Sequence, residues 1–459
     1  MALSRYLIGL TALLTVGTTA VYGDTGSDGK SRFQQDLEES DMEMLNDFIN
    51  SKRKIPLIDK SKKLKISGEL HTEWNYYTEK IDGENVRTFV FREQEVLGDE
   101  VFNPGETIAI GHNDYDIECD LFVDWDTDRT WARIHLRFDN SAGVDDNGLD
   151  PKIDPKGYHG SGYCANLCLK ECYVGYEIFK CGDRRLTIEL GRRGNIYKAF
   201  YSEIQFASRL DGVIFKYANK WKNYTDWYIQ WAGFVVDERA TQYAWVAELG
   251  LSNMLNAGLD FKYSFIDWHK GGRNRFGKKN PLGFRFKVSQ FSLIYRIKPE
   301  LLWGHQFSVF GAFLVNHTPS GYTYIDGTPG INEEGRVIYT RTKVKIGRHQ
   351  NLGAFVGIQF RELYREGDWM FKALVAYCEA QCCPDNDVRN IGTGNFLRDS
   401  FTSDGRGNTN WKGYAIKFGY AITDNWVVET QYDHSWSIDN QIAGTHGFTR
   451  YCLETTYSF

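Results

Sequence analysis

From Leu64 to the final residue the chain alternates apolar and polar side chains with a period of two, in about sixteen separate segments. Successive side chains of a strand point to opposite faces, so this period demands sheet with one apolar and one polar side. The first segment places Leu64, Ile66, Leu70, Thr72, Trp74 and Tyr76 on one face, and Lys65, Ser67, Glu69, His71, Glu73 and Asn75 on the other. The second sets Tyr115, Ile117, Cys119, Leu121, Val123 and Trp125 against Asp114, Asp116, Glu118, Asp120 and Asp124. The third opposes Ala132, Ile134, Leu136 and Phe138 to Arg133, His135, Arg137 and Asp139. Similar segments recur near 167–179, 185–191, 212–218, 227–236, 242–250, 258–268, 284–297, 306–316, 351–360, 368–378, 411–421, 425–436 and 448–459. Those at 227–236 and 284–297 alternate poorly, which widens the expected count to about 14–18 strands of the length that tilted membrane strands need. An extra hairpin fits within 322–347.

Composition agrees with an all-β chain. It holds 13 Trp, 27 Tyr, 29 Phe and 45 Gly but only 9 Pro, a surplus of strand and turn formers. The mean hydropathy of −0.46 resembles that of a soluble protein. Past the first two dozen residues no apolar run approaches the roughly 18–20 residues that a membrane helix requires, which excludes a helical transporter. So many aromatic side chains exclude disorder. The formal net charge of −6 argues against nucleic acid as the main partner.

Loop lengths separate a soluble sheet protein from a membrane barrel. Linkers 78–111, 140–166, 192–211, 317–350 and 379–410 are long. Those at Thr127–Asp128, Phe179–Arg184, Lys220–Tyr224, Arg361–Gly367 and Thr423–Asp424 are short. Long and short connections take turns along the chain, as in outer-membrane barrels with loops on one side and turns on the other. The brief link Asp237–Thr241, which should lie on the loop side, is an exception. The expected fold is therefore a transmembrane antiparallel β-barrel over 64–459.

The chain's start reads as a secretory signal peptide over 1–23: Arg5 supplies positive charge, Leu7–Val16 is apolar but too short to span, and small residues follow. Cleavage fits after Gly23 or after Ala20. Residues 24–63 form a periplasmic extension in which Phe33, Leu37, Met44, Leu45, Phe48 and Ile49 are spaced for an amphipathic helix over 33–50. Export makes disulfides permissible for the nine cysteines.

The last segment runs Thr449, Tyr451, Leu453, Thr455, Tyr457 to a terminal Phe459. Here the chain resembles bacterial outer-membrane β-barrels, whose final strand ends in an aromatic residue read by the barrel-insertion machinery. A second resemblance covers Lys170 to Tyr217. Cys172-Tyr173-Val174-Gly175-Tyr176, a short turn, and Leu186 to Arg192 look like the strand–turn–strand element of general diffusion porins. The resemblance implies that loop 193–211, after the fifth strand, folds into the barrel and narrows it. It also implies outer-membrane lipid and lipopolysaccharide as surroundings, small hydrophilic solutes as cargo and a homotrimer as assembly. The loop departs from that family in lacking an acidic tip, since Glu203 and Asp211 are its only carboxylates. Nine cysteines and a long N-terminal extension are similar to porins of Chlamydia-related bacteria, whose envelopes are cross-linked by disulfides; this implies disulfide-linked envelope proteins as partners.

If the polar face lines a lumen, the residues that set its selectivity are Asp114, Asp116, Glu118, Asp120 and Asp124, with Arg133 and Arg137 on the neighbouring strand. The constriction adds Arg192, Arg193, Lys198, Glu203 and Arg209. The plainer reading of the first set is cross-strand ion pairing on a solvated wall. The basic stretch His269–Lys279 reads as a solvated loop. Cys164, Cys168 and Cys172 recur every four residues and Cys382–Cys383 are adjacent, spacings that do not match a zinc site, so no metal or cofactor is expected. Pairing of the loop near Cys164 with the loop holding Cys378, Cys382 and Cys383 is expected instead. The odd cysteine count leaves a thiol free or available to another chain. The ten His are scattered and no Gly-x-Ser-x-Gly element occurs, so an enzyme is not expected. Two functions stay in view: passive diffusion through a water-filled lumen, and a structural or adhesive barrel with disulfide cross-links.

Overall fold

The computed structural model describes residues 64–81, 113–141, 166–221, 224–237, 242–268, 285–297, 305–331, 337–345, 349–384, 387–389, 409–442 and 445–459, with Ile391 and short pieces of 83–109. The expected signal peptide and the helix at 33–50 lie outside the described residues, as does Cys164.

Sixteen long strands form the wall. They are β1 (Leu64–Ile81), β2 (Asn113–Asp126), β3 (Thr130–Ser141), β4 (Asn166–Cys181), β5 (Arg184–Asn195), β6 (Arg209–Trp221), β7 (Thr225–Asp237) and β8 (Gln242–Met254). They continue as β9 (Leu259–Trp268), β10 (Phe286–Ile297), β11 (Phe307–Asn316), β12 (Leu352–Phe360), β13 (Trp369–Cys378), β14 (Trp411–Thr423), β15 (Trp426–Ser437) and β16 (His446–Ser458). Each pairs antiparallel with the next, and β16 returns to β1 from Glu69↔Ser458 to Ile81↔His446. The sheet is closed. Closure continues at the carboxyl terminus, where Gly68 and Phe459 exchange both backbone hydrogen bonds at 2.9 Å. A Cβ on Gly68 would lie 2.5 Å from the Phe459 ring, so glycine makes room for the terminal aromatic.

The wall is apolar outside, and its inner face is polar from β14 through β1 to β5. Val356 and Val375 face each other across β12 and β13 at 55% and 57% exposure, whereas inward Glu69 and Asp120 are at 2% and 1%. A water-soluble fold would invert this, since exposing a continuous apolar belt to water is unfavourable. Exposed Trp125, Trp221, Trp426 and Tyr457 gather at the short-turn end, and Tyr76, Tyr115, Tyr243 and Trp436 at the long-loop end. Aromatic residues at both rims of an apolar band suit a bilayer.

Each expected strand segment overlaps one of the sixteen and overruns it by no more than two residues at an end. The weak segments 227–236 and 284–297 are β7 and β10, and their inner faces explain the poor alternation. Ala232, Phe234, Phe286 and Val288 point inward and are buried, so both faces there are apolar. The short link between β7 and β8 does lie on the long-loop side. The extra hairpin exists outside the barrel sheet, pairing Tyr322–Ile331 with Val337–Lys345.

Candidate pore and constriction

The link from β5 to β6 enters the barrel. Gly194 has φ +90, a left-handed conformation glycine tolerates, and the pairing of β5 with β6 breaks between Arg192 and Asn195. One short turn, Ile196–Lys198, follows. Ile196, Phe200, Ile204, Phe206 and Leu210 are then completely buried in one apolar cluster with inward residues of distant strands, among them Phe286, Phe310 and Leu314. Inward glutamines satisfy its peptide groups: Gln230 Nε2 donates to the Ala199 carbonyl and Gln290 Nε2 to the Tyr201 carbonyl, each at 2.6 Å. From β13, Lys372 Nζ reaches Glu203 Oε1 at 2.7 Å.

A second segment, from the long link after β13, clamps this loop. Asp387 accepts from the Phe206 and Ser208 backbone N–H groups, both at 2.9 Å. Arg389 Nη1 donates to the Ser202 carbonyl at 2.8 Å, and its guanidinium lies 3.5 Å from the centroid of the Tyr197 ring. Phe206 has φ +79, a conformation costing a non-glycine residue about 1–3 kcal/mol, which the Asp387 contacts help to hold. Burial alone would raise the Glu203 carboxyl, but Lys372 and Arg389 hold it below its ordinary value. No such cation faces Asp387 among the described residues, and burial pushes its carboxyl up to about 7 against the lowering effect of its two N–H donors.

The opposite inner wall, β14 to β16 and β1 to β5, carries charge of both signs. Arg137 donates Nε and Nη2 to Asp120 at 2.8 and 2.7 Å and meets Glu118 at 2.5 Å. His135 Nε2 is 2.8 Å from the same Asp120, and His71 lies between Glu69 and Glu454 at 3.3 Å from each. Arg133 Nε reaches Asp124 at 2.6 Å, Arg450 Nη2 reaches Asp433 at 2.6 Å, and Lys417 reaches Glu429 at 3.0 Å. Many of these groups, including Arg133, Arg137, Glu118, Lys417 and Glu454, keep partial exposure. The interior is thus divided: one half packed around the loop, the other a wall of paired charges.

The expected lumen residues sort accordingly. Asp116, Glu118, Asp120, Asp124, Arg133 and Arg137 occupy inward positions, with Lys65↔Asp124 and Glu69↔Asp120 in register. Glu118, Asp120, Asp124, Arg133 and Arg137 take part in cross-strand ion pairs, in line with the plainer reading. The Asp114 backbone is paired opposite Asn75, but its side chain lies outside the described residues. From the loop, Arg193 Nε donates to Glu189 at 2.8 Å and Lys198 Nζ meets Glu171 at 2.5 Å, both on the charged side. Three expectations are corrected. Arg192 continues the outward row of Leu186, Ile188 and Leu190, and it pairs on the outer surface with Asp211 at 2.7 Å. Arg209 stands two residues from Asp211 on that same outward face and is exposed. Glu203 is inside, but its carboxylate is buried against Lys372 and does not line an open surface.

Sequence reasoning misses His71, Glu454 and Glu171 on the charged wall, and Gln230, Gln290, Lys372, Asp387 and Arg389 around the loop. For the wall residues, inward parity is the available signal. For the clamp there is none, because Asp387 and Arg389 meet a loop some 180 residues earlier in the chain. Cys378, Cys382 and Cys383 come together and carry free thiols, with Cys378 Sγ 3.9 Å from Cys383 Sγ.

A closed barrel of sixteen antiparallel strands, apolar without, charged along half its interior and crossed by the loop after its fifth strand, has the architecture of a transmembrane β-barrel. No family model and no curated protein matches the sequence. Similar solved structures include Pseudomonas putida OprB, with a TM-score of 0.46 and 10% identity over 87% of this chain and 94% of that one. Salmonella typhi OmpF in complex with daunomycin gives 0.46 and 10% over 88% of this chain and 100% of that one. A Rhodopseudomonas blastica porin gives 0.38 and 9% over 86% and 100%.

Proposed function

We propose that the barrel passes small hydrophilic solutes or ions by passive diffusion, along the channel side between the charged wall and loop 193–211. The observation that carries this reading is the partial exposure of Arg133, Arg137, Glu118, Lys417 and Glu454 on the inner wall. Paired charges that faced only packed protein would be desolvated at a cost of several kcal/mol per ion, so a solvated path beside them is the arrangement of lower free energy. Water-filled lumens set selectivity by such rings and transverse fields. Arg193 and Lys198 on the loop face Glu189 and Glu171 on the wall, which supports a path flanked by both signs.

The test is conductance of the refolded full chain in planar bilayers. Discrete steps are expected from protein whose folding is shown by heat-modifiable migration. Folded protein that gives none would overturn diffusion and favour a structural or adhesive barrel. That second reading draws on a specific observation, the apolar cluster that packs half of the interior around the loop.

A further inference from the structure

The link after β13 opens with Glu379-Ala380-Gln381-Cys382-Cys383, and its first turn doubles back. Cys382 N donates to the Glu379 carbonyl at 3.0 Å and Gln381 N to the Gln350 carbonyl at 2.7 Å. The turn lays Cys382 and Cys383 over Cys378, the last residue of the strand. All three side chains are completely buried, and their sulfur atoms lie within 4.8 Å of one another. We propose that Cys378, Cys382 and Cys383 form a three-thiolate site for a soft divalent cation of the Zn2+ or Cd2+ kind.

Three observations carry this. The Cys378–Cys383 sulfur separation of 3.9 Å is nearly twice an S–S bond, which is about 2.05 Å. It matches the edge of a tetrahedron whose metal–sulfur bonds are about 2.3 Å, an edge of about 3.8 Å. Second, the site has a cradle. Gly353 on β12 is the register partner of Cys378, and a Cβ there would collide with Cys382 Sγ. Third, Trp411 on β14, the other register partner of Cys378, shares its inward face, and its buried indole N–H has no acceptor among the described residues. Thiolates would place acceptor charge on that face. Spacing along the chain points away from a metal because it counts Cys382–Cys383 alone; the turn after the strand end supplies the third donor.

Binding is acid–base chemistry without redox. Three S–H groups lose their protons to solvent, three metal–sulfur bonds form, and the fourth position is left to water. The same link carries Asp387 and Arg389, so a bound ion would fasten the base of the clamp on loop 193–211 to the wall. Cation binding does not depend on the diffusion reading and is measured without it.

The experiment titrates Cd2+ into refolded, fully reduced full-length protein under anaerobic conditions, reading thiolate-to-cadmium charge-transfer absorption. One tight equivalent per chain, displaced by Zn2+, is expected. Cys378→Ser, Cys382→Ser and Cys383→Ser should each weaken it at least tenfold, while Cys172→Ser on the outer wall leaves it unchanged. Gly353→Ala keeps all three thiols and should also weaken binding, which covers a serine variant that fails to fold. The proposal is overturned if folded reduced protein takes up no tight equivalent, or if the band survives in the triple serine variant. A disulfide among these three cysteines, mapped by mass spectrometry in protein isolated from membranes without reductant, would also overturn it.

Discussion

Asp120 shows how a single residue organises the charged wall. It is almost fully buried on β2, yet it accepts a two-pronged hydrogen bond from Arg137 on β3 and another from His135, with His71 of β1 at 3.4 Å. Three strands therefore meet at one carboxylate. Asp120→Asn removes the charge that Arg137 and the histidines share. Arg137 retains Glu118, so the loss is smaller than for a fully orphaned buried pair, about 2–3 kcal/mol of unfolding free energy. Denaturant unfolding of the refolded barrel would measure it, and an unchanged midpoint would count against this role. Asp387 behaves differently, because its clamp is a carboxyl that faces no cation among the described residues. Its folded value near 7 exceeds the ordinary 3.8, so the folded chain keeps a proton that the unfolded chain has already released. The stabilisation is full below about pH 4 and is lost as pH rises through about 7. Asp387→Asn should flatten the pH dependence of the thermal midpoint across that window; parallel profiles for the two proteins would contradict it.

At the scale of elements, loop 193–211 and its surroundings mark the limit of what the sequence discloses. Period two locates the strands wherever one face meets water and the other lipid. It fades at β7 and β10 because their inner residues face the loop's Phe200, Ile204 and Phe206 instead of water. The correction at Arg192 has a related cause. A resemblance sets it in the constriction, whereas strict alternation along β5 is what decides: Ile188 and Leu190 point outward, so Arg192 does too. The clamp by Asp387 and Arg389 is a long-range contact with no local pattern, and no single sequence reveals it. Because the Arg389 guanidinium ties the loop through the Ser202 carbonyl and the Tyr197 ring, Arg389→Ala, which keeps only the backbone bond to Ile204, should loosen the constriction and leave the wall intact. Single-channel records of the variant should show larger or more frequent current fluctuations than the parent, with the same heat-modifiable migration. Indistinguishable records would mean that Lys372, Gln230 and Gln290 hold the loop without it.

For the whole molecule, one physical rule accounts for both the polar average of the sequence and its destination. Alternation puts every second residue of a strand in lipid, so a chain whose mean hydropathy is −0.46 still presents a continuous apolar surface. That surface is apolar at mid-height, where Val356 on β12 faces Val375 on β13, and carries aromatic residues at both rims. A charge at the middle must be carried into hydrocarbon, while the same charge on the inner face meets water or a counter-ion. Val356→Arg should therefore lower folding stability in lipid by about 2–4 kcal/mol, the cost of a midplane cation on a barrel's outer wall. Phe355, its neighbour in sequence, faces inward against Tyr201 of the loop. Phe355→Arg tests the other side of the same strand: it should disturb the packing around the loop and alter conductance. Equilibrium unfolding of both variants from vesicles, compared as the bilayer is thickened, separates the two faces. Only the outer substitution should grow more costly as its arginine loses reach to the interface. Equal thickness dependence for Val356→Arg and Phe355→Arg would contradict the assignment of inner and outer faces on which the barrel rests.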